Sequence, residues 1–393
     1  MHLVKLLFIF LLLIFPLGQI GRVELGGGVN ILLNDIVVFL VVLTWVIRKL
    51  IKKESVQNRV FAKPLAYFVG LAFISLAFNP LQLPISELMV SSLYLLRWVA
   101  YALLFFVVSG FDDSFKRKIP YALVAIGVVT AFIGFIQYGL YPNLRNLYYA
   151  GWDDHLYRLF SSFLDPNFSG GIFVLTCILA VSQFLLQKER PFEARLAIGA
   201  IASFLALLLT YSRGSFLSFF AGILTLLFMT ARKKLLLMVL FAFVIGIVLL
   251  PKNLKSEGVE LLRTASINQR IESVEHAVAI FKEYPLLGIG FNTYRYAQVK
   301  YRFLTHEQAA TSHSAAGTDN SFLFVLATTG ILGFAAYLYL WGTILRMYWS
   351  NSLIIASCMA IFIHAFFVNS LFYPWIMEWV WILLGASKAQ KLL

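Results

Sequence analysis

Charge is what this sequence has least of. Asp, Glu, Lys and Arg make up 13% of its 393 residues, against about 25% in soluble globular domains. So few charges cannot cover a water-facing surface on a chain this long, which leaves lipid as the solvent for most of it. Cysteine is scarcer still. Cys177 and Cys358 both lie in apolar runs, with no C-x-x-C and no His/Cys cluster at metal-ligand spacing. That argues against a disulfide framework and against structural zinc. Internal repeats are lacking, as is any inverted symmetry of charge or of Gly/Pro breaks, which weakens a transporter reading.

What is present is apolar: 60% hydrophobic and 16% aromatic residues. At about 20 apolar residues per crossing, twelve stretches qualify, near 3–18, 31–51, 64–78, 86–109, 119–141, 169–187, 194–211, 214–231, 234–251, 319–341, 351–372 and 373–388. The net charge of +13 does not mark a nucleic-acid binder, because most Lys and Arg sit in short clusters between apolar runs, as topology signals do. The clusters at Lys5, 48–63, 116–118, 188–195, 232–234, Arg346 and 388–391 fall on alternate connections. The positive-inside rule then places both termini in the cytoplasm, and loops 142–168 and 252–318 outside. Lys5 ahead of a Leu/Phe core also fits a signal peptide, but no A-x-A site follows, and the remaining topology is the same either way. The expectation is an all-α polytopic membrane protein of about twelve transmembrane helices. Residues 1–251 would carry nine of them, 252–318 a long periplasmic loop, and 319–393 the last three, as one integrated membrane domain.

Arginines on the outer side run against the positive-inside bias, and burying one in a membrane costs about 2.5–3.5 kcal/mol or more. An anion to meet would repay that cost. Arg213 stands in Thr210-Tyr211-Ser212-Arg213-Gly214-Ser215, a turn between two apolar stretches. Ser215 can cap the following helix, and a guanidinium beside a helix N-terminus makes a phosphate cradle. The plainer reading is an interfacial Arg reaching headgroups. Arg270 lies in the long loop, where Ser266-x-x-Gln269 reads as a capping box opening an amphipathic helix that Pro285 stops. An ordinary solvated Arg is the alternative there. Asp319, in His313-Ser314-Ala315-Ala316-Gly317-Thr318-Asp319-Asn320-Ser321, reads as an N-cap or as a general base at the membrane surface. His313 is the other candidate base, with His155, His276 and His306 behind it, while His364, inside an apolar run, reads as a satisfied core histidine. Arg158 opens an outer segment that ends at Pro166-Asn167, and Arg97 sits within an apolar run, where a buried ion pair is its structural alternative. Asp153-Asp154 reads as solvated rather than metal-binding.

These residues fall into an order that resembles bacterial O-antigen ligases. Asp319-Asn320, nine residues, then Gly330-Ile331-Leu332-Gly333 is similar to that family's signature of His, Asn/Ser/Gln, nine residues, Gly, two residues and a small residue. Thr210-Tyr211-Ser212-Arg213-Gly214 looks like its Ser-Arg-Gly turn. Arg270 through Pro285-Leu286-Leu287-Gly288-Ile289-Gly290 looks like its Arg-helix-Pro-Leu-x-Gly-x-Gly segment, and Arg158 through Pro166-Asn167 like its outer-loop element. The resemblance covers roughly 155–340. It departs at Asp319, where ligases keep His, and an Asp-Asn-Ser version looks more like polysaccharide polymerases of the same superfamily.

The resemblance implies a glycosyltransferase C-type helical bundle in the bacterial inner membrane. Its reaction would be inverting and metal-independent, with no cofactor, and would move a glycan from undecaprenyl pyrophosphate to a sugar hydroxyl at the outer face. Arg213 and Arg270 would bind the pyrophosphate, Asp319 would stand in the place of the catalytic His, and Arg158, Asn167, Ser212, Asn320 and Arg97 would be substrate-binding candidates. Partners would be the undecaprenyl-pyrophosphate-linked glycan, an acceptor glycan lipid, the bilayer and a chain-length regulator. Tyr294, Tyr296, Tyr301 and Phe303 would stack on sugars or belong to the interface belt. Polymerisation of repeat units and ligation to lipid A–core both remain open. A flippase of lipid-linked glycan would want polar residues along a path through several spans, whereas polarity here gathers at one face. A shape-type peptidoglycan polymerase shares the architecture, but its motifs are not found.

Overall fold

The computed structural model describes residues 1–24, 29–55, 59–186, 190–251, 259–261, 265–311 and 314–389. In chain order these give α1 (His2–Ile14), β1 (Arg22–Glu24), β2 (Asn30–Leu32), α2 (Leu33–Lys52), α3 (Arg59–Ala77), α4 (Ile85–Ser109), α5 (Asp113–Lys116), α6 (Ile119–Leu140), α7 (Pro166–Leu186) and α8 (Arg190–Leu209). There follow α9 (Arg213–Met229), α10 (Lys233–Val248), α11 (Ala265–Glu283), α12 (Tyr294–Lys300), α13 (His306–Thr311), α14 (Ser321–Met347), α15 (Ser352–Ala365) and α16 (Pro374–Ala386). The protein is nearly all helical. The departure is a short antiparallel hairpin that pairs Arg22 with Leu32.

A helix occupies each of the twelve apolar stretches. Among the described residues, six helical segments are long and apolar enough to cross a bilayer: His2–Gly21, Val60–Ala77, Ile85–Ser109, Asp113–Leu140, Pro166–Leu185 and Ser321–Met347. Ala194–Leu209, Arg213–Met229, Ser352–Ala365 and Pro374–Ala386 are apolar but shorter. Their outer surfaces are greasy: Phe73, Phe78, Leu140, Phe228 and Val248 are all largely exposed. Water does not tolerate so much contiguous apolar surface, and with the six long apolar helices this makes the chain a multi-pass membrane protein.

Packing runs α9 along α15, α7 along α8, α16 along α4 and α14 along α3. The basic clusters meet at one end. Lys5 pairs with Asp112, and Arg48 with Glu54 at 2.7 Å. At the far end lie the N-termini of α7, α9, α14 and α16 and the hairpin.

Between α2, α4 and α16 a polar network is buried. Arg97 on α4 pairs with Asp35 on α2 at 2.6 Å, Tyr101 donates to Asp35 at 3.0 Å, and Asn34 donates to fully buried Glu378 at 2.9 Å. Removing one partner of such a pair leaves an uncompensated charge. Arg97→Ala is therefore expected to destabilise the protein by about 3 kcal/mol, read as a lowered melting temperature in detergent; an unshifted melting point would contradict this structural role.

Candidate functional site

Three segments build the site. The first is the turn before α9. Arg213 is the first residue of that helix, and Ser212 is its N-cap, accepting from Ser215 N–H at 3.4 Å. The cap thus sits three residues ahead of the Ser215 read from sequence. Thr210 ties the turn by donating to Leu207 O at 2.7 Å, and Arg158 Nε donates to Thr210 O at 2.8 Å. Arg213 donates to Leu261 O at 3.2 Å.

The second segment is the start of α7. Asp165 accepts from Asn167 N–H at 2.6 Å and Phe168 N–H at 3.2 Å, which with Pro166 at the first helical position fixes this end. Asn167 joins the two helix starts: Ser212 donates to its Oδ1 at 2.8 Å, and Ser215 to its carbonyl at 3.2 Å. His364 of α15 is buried between them, 3.1 Å from both Ser215 Oγ and Asn167 O, with Ser370 on its other nitrogen. It is a satisfied core histidine, and it holds the N-termini of α7 and α9 together.

The third segment pairs α11 with the start of α14. Asp319 N–H donates to Ser273 Oγ at 3.1 Å, 46 residues away, and Ser273 donates to Thr318 Oγ1. Lower down, Ile331 N–H donates to Pro285 O at 2.8 Å, also 46 residues apart (331 − 285), and Leu332 N–H to Leu286 O at 3.3 Å. A constant offset at two points means that the two stretches run parallel in fixed register. Contact at the lower point is backbone to backbone. α14 breaks at Gly330, whose φ is 63°, and a Cβ there would lie 2.2 Å from Leu286 O. Gly288, with φ 67°, would place a Cβ 2.5 Å from Thr328 C. Such a break inside a membrane bundle is tolerated where protein buries it and satisfies its backbone, as Ile289 N–H to Ala327 O at 3.1 Å and Gly290 N–H to Thr328 O at 2.9 Å do here.

The three segments converge. Arg270 lies 5.7 Å from the Phe367 ring centroid, and Gly214, next to Arg213, abuts the same Phe367. Burial lowers the pKa of Arg270; Asp319 opposes that shift, Arg213 adds to it by repulsion, and Asp165 opposes it. Asp319 is exposed, just ahead of the start of α14. Desolvation there raises its pKa above the usual aspartate range, Arg270 pulls it back, and Asp165 and Asp153 push it up further. Burial likewise raises Asp165, against the two backbone donors and Arg158. Two like charges, Arg213 and Arg270, are thus held near each other with the carboxylates of Asp319 and Asp165 beside them.

Asp319 is not the cap of α14. Asn320 takes that role, accepting from Phe322 N–H at 2.9 Å and Leu323 N–H at 3.0 Å. Among the described residues the Asp319 carboxylate makes no hydrogen bond or ion pair of its own.

Residues 198–338 match the family model described as O-antigen ligase. This stretch, about a third of the chain, is similar to that family. It holds Arg213, Arg270, Asp319 and Gly330, supports the O-antigen ligase/polymerase superfamily for the chain, and supports an enzyme of glycan transfer acting on lipid-linked glycans in a membrane. No curated protein matches the chain.

The sequence candidates fall unevenly around the matched stretch. Arg213, Arg270, Asp319, Ser212 and Asn167 come together. Asn320 serves as a helix cap, and Arg158, only 7% exposed, props the turn ahead of Arg213. Arg97 goes elsewhere, to Asp35. His313 and the 252–258 stretch lie outside the described residues. So does the Ser266 side chain of the expected capping box; α11 begins one residue ahead of it, at Ala265, and packs on α14. His276 stacks on Phe303 at 3.8 Å, and Asp154 pairs with Arg145 at 3.7 Å. Among the described residues no group of three His, Cys, Asp or Glu side chains could hold a metal. Sequence reasoning passed over Asp165, although Asp-Pro-Asn before an apolar run is a legible cap, and Phe367, which no pattern marks.

Proposed function

We propose that the protein catalyses inverting, metal-independent transfer of a glycan from undecaprenyl pyrophosphate to a sugar hydroxyl at the outer face of the inner membrane, in the mode that polymerises repeat units. The observation that carries this reading is the convergence of Arg213 and Arg270 beside a carboxylate that Asn320 has released from capping. The acceptor hydroxyl gives its proton to Asp319 while its oxygen attacks the anomeric carbon. The bond from that carbon to the pyrophosphate breaks, and the two guanidiniums take up the charge left on the departing diphosphate. They supply there what a divalent ion supplies in other transferases.

The choice of polymerisation rests on Asp319-Asn320-Ser321, which looks like the polymerase version of the motif. Reconstitution with a lipid-linked repeat unit tests it. A ladder of products supports polymerisation, a single transfer to lipid A–core makes the protein a ligase, and no release of undecaprenyl pyrophosphate from either substrate rejects both.

A base with a raised pKa sets the pH dependence. Transfer should rise with pH as Asp319 ionises, along an acid limb above the usual aspartate value. Arg270 lowers the Asp319 pKa, so Arg270→Gln should move that limb to higher pH in whatever activity remains. Asp319→Asn should abolish the limb. It should not weaken the fold, because a carboxylate whose folded pKa is raised makes the protein less stable as pH rises past its unfolded value. An unchanged pH profile in Asp319→Asn would hand the role of base to His313.

A further inference from the structure

We propose a second subsite beside the diphosphate cluster, lined by Arg22, Tyr94, Trp152, Arg295 and Tyr296, that takes the sugar of the acceptor; it rests on the transferase reading above. Four segments bring these residues together at the same end of the bundle: β1, the first turns of α4, loop 142–160 and α12. The Arg22 guanidinium lies 5.7 Å from the Trp152 ring centroid and 2.8 Å from Glu24. Its Nε is buried and, among the described residues, has no hydrogen-bond partner. A buried guanidinium N–H left in that state is an invitation to a ligand acceptor. Tyr94 lies under the Arg97 guanidinium at 4.7 Å. Arg22 and Arg295 are close enough to repel, and Tyr296 is influenced by Glu87, Arg295 and Tyr94.

The mixture of groups identifies the ligand class. A second diphosphate would want guanidiniums gathered at a helix start, as Arg213 stands at the start of α9. Here Glu24 pairs with Arg22, and the Trp152 ring lies beside the same guanidinium. A neutral polyol suits such a set: carboxylates accept from its hydroxyls, guanidiniums donate to them, and ring faces pack on its C–H surface. Tyr94, Trp152 and Tyr296 are half-buried, unlike belt residues turned outward to lipid.

Tyr373 joins this subsite to the reacting groups. It stacks on Phe168 at 3.7 Å with the planes 4° apart, and it stands within electrostatic reach of both Asp165 and Arg22. Phe168 in turn donates its N–H to Asp165. An acceptor seated over Trp152 and Tyr296 would therefore lie along the wall that leads to the cluster.

The test uses two probes on the full chain in lipid nanodiscs. One is the delipidated repeat-unit oligosaccharide, released by mild acid from the lipid-linked intermediate that the host accumulates when this protein is deleted. The other is undecaprenyl pyrophosphate alone. The expected result is that Trp152→Ala and Tyr296→Ala each weaken oligosaccharide binding by about tenfold, while binding of undecaprenyl pyrophosphate stays within twofold, which also shows that the variants fold. Arg22→Gln should behave alike. Oligosaccharide binding unchanged in both aromatic variants, or absent in the wild type, overturns the subsite. Loss of undecaprenyl pyrophosphate binding in the aromatic variants also overturns it, since they would then act through the donor site or the fold. Failure of the wild type to bind undecaprenyl pyrophosphate sinks the transferase reading instead, and is scored separately.

Discussion

Replacing Arg270 by alanine is expected to cut glycan transfer by about 10²–10³-fold, the usual loss when one preorganised donor to a developing anion is removed. Arg213→Ala should do the same. Neither change should empty the membrane of protein. Arg270 sits on α11 against Phe367, and Arg213 starts α9 at a turn that is tied independently by Thr210, Ser212, Arg158 and Asn167. The loss should therefore appear per folded molecule, measured as undecaprenyl pyrophosphate released in proteoliposomes with protein quantified by gel filtration. Lysine should rescue only in part, because an ammonium keeps the charge but not the two-pronged donor geometry. Activity within a few-fold of wild type in both alanine variants would remove the arginines from the chemistry.

Gly330→Ala should be the most damaging change outside the charged cluster. At φ 63° an added side chain is strained, and its Cβ would meet backbone atoms of Leu286 at 2.2 and 2.3 Å, so no side-chain rotation relieves the clash. Strain and overpacking each cost about 1–3 kcal/mol, and together should lower stability by about 3 kcal/mol or more. Function suffers through the register. The stretch 273–286 runs beside 319–332 at one offset, so pushing Pro285–Gly290 off α14 shifts Ser273 against Asp319 and Arg270 with it. Melting temperature and transfer per folded molecule should both fall, and Gly288→Ala should behave in kind. A Gly330→Ala protein that melts like the wild type would refute this account of the motif.

That register also shows what a sequence can and cannot display. The nine residues between Asn320 and Gly330 are visible as a pattern, as is Pro285-Leu286-Leu287-Gly288. That the two patterns are halves of one backbone contact is not, because pairing between distant segments leaves no local periodicity. Helices were legible wherever apolar runs met Lys/Arg clusters, since burial and charge placement act locally. The ends were less so: Ser212 rather than Ser215 caps α9, and Asn320 rather than Asp319 caps α14, because adjacent polar residues compete for the same N–H groups. Arg97 read either as a substrate-binding residue or as one half of a buried ion pair, and the pair is what the fold shows. Its partner, Asp35, lies 62 residues away on another helix, beyond any local pattern. Asp165 is the reverse case, a legible cap whose neighbours Arg270 and Asp319 only the fold supplies.

The most direct measurement is a double-mutant cycle on undecaprenyl pyrophosphate affinity, taken over wild type, Arg213→Ala, Arg270→Ala and the double variant in nanodiscs. If both guanidiniums grip one diphosphate, the losses are non-additive, with a coupling energy of about 1 kcal/mol or more. Losses that add to within about 0.5 kcal/mol would mean that the arginines act independently, and the shared-anion site would be gone.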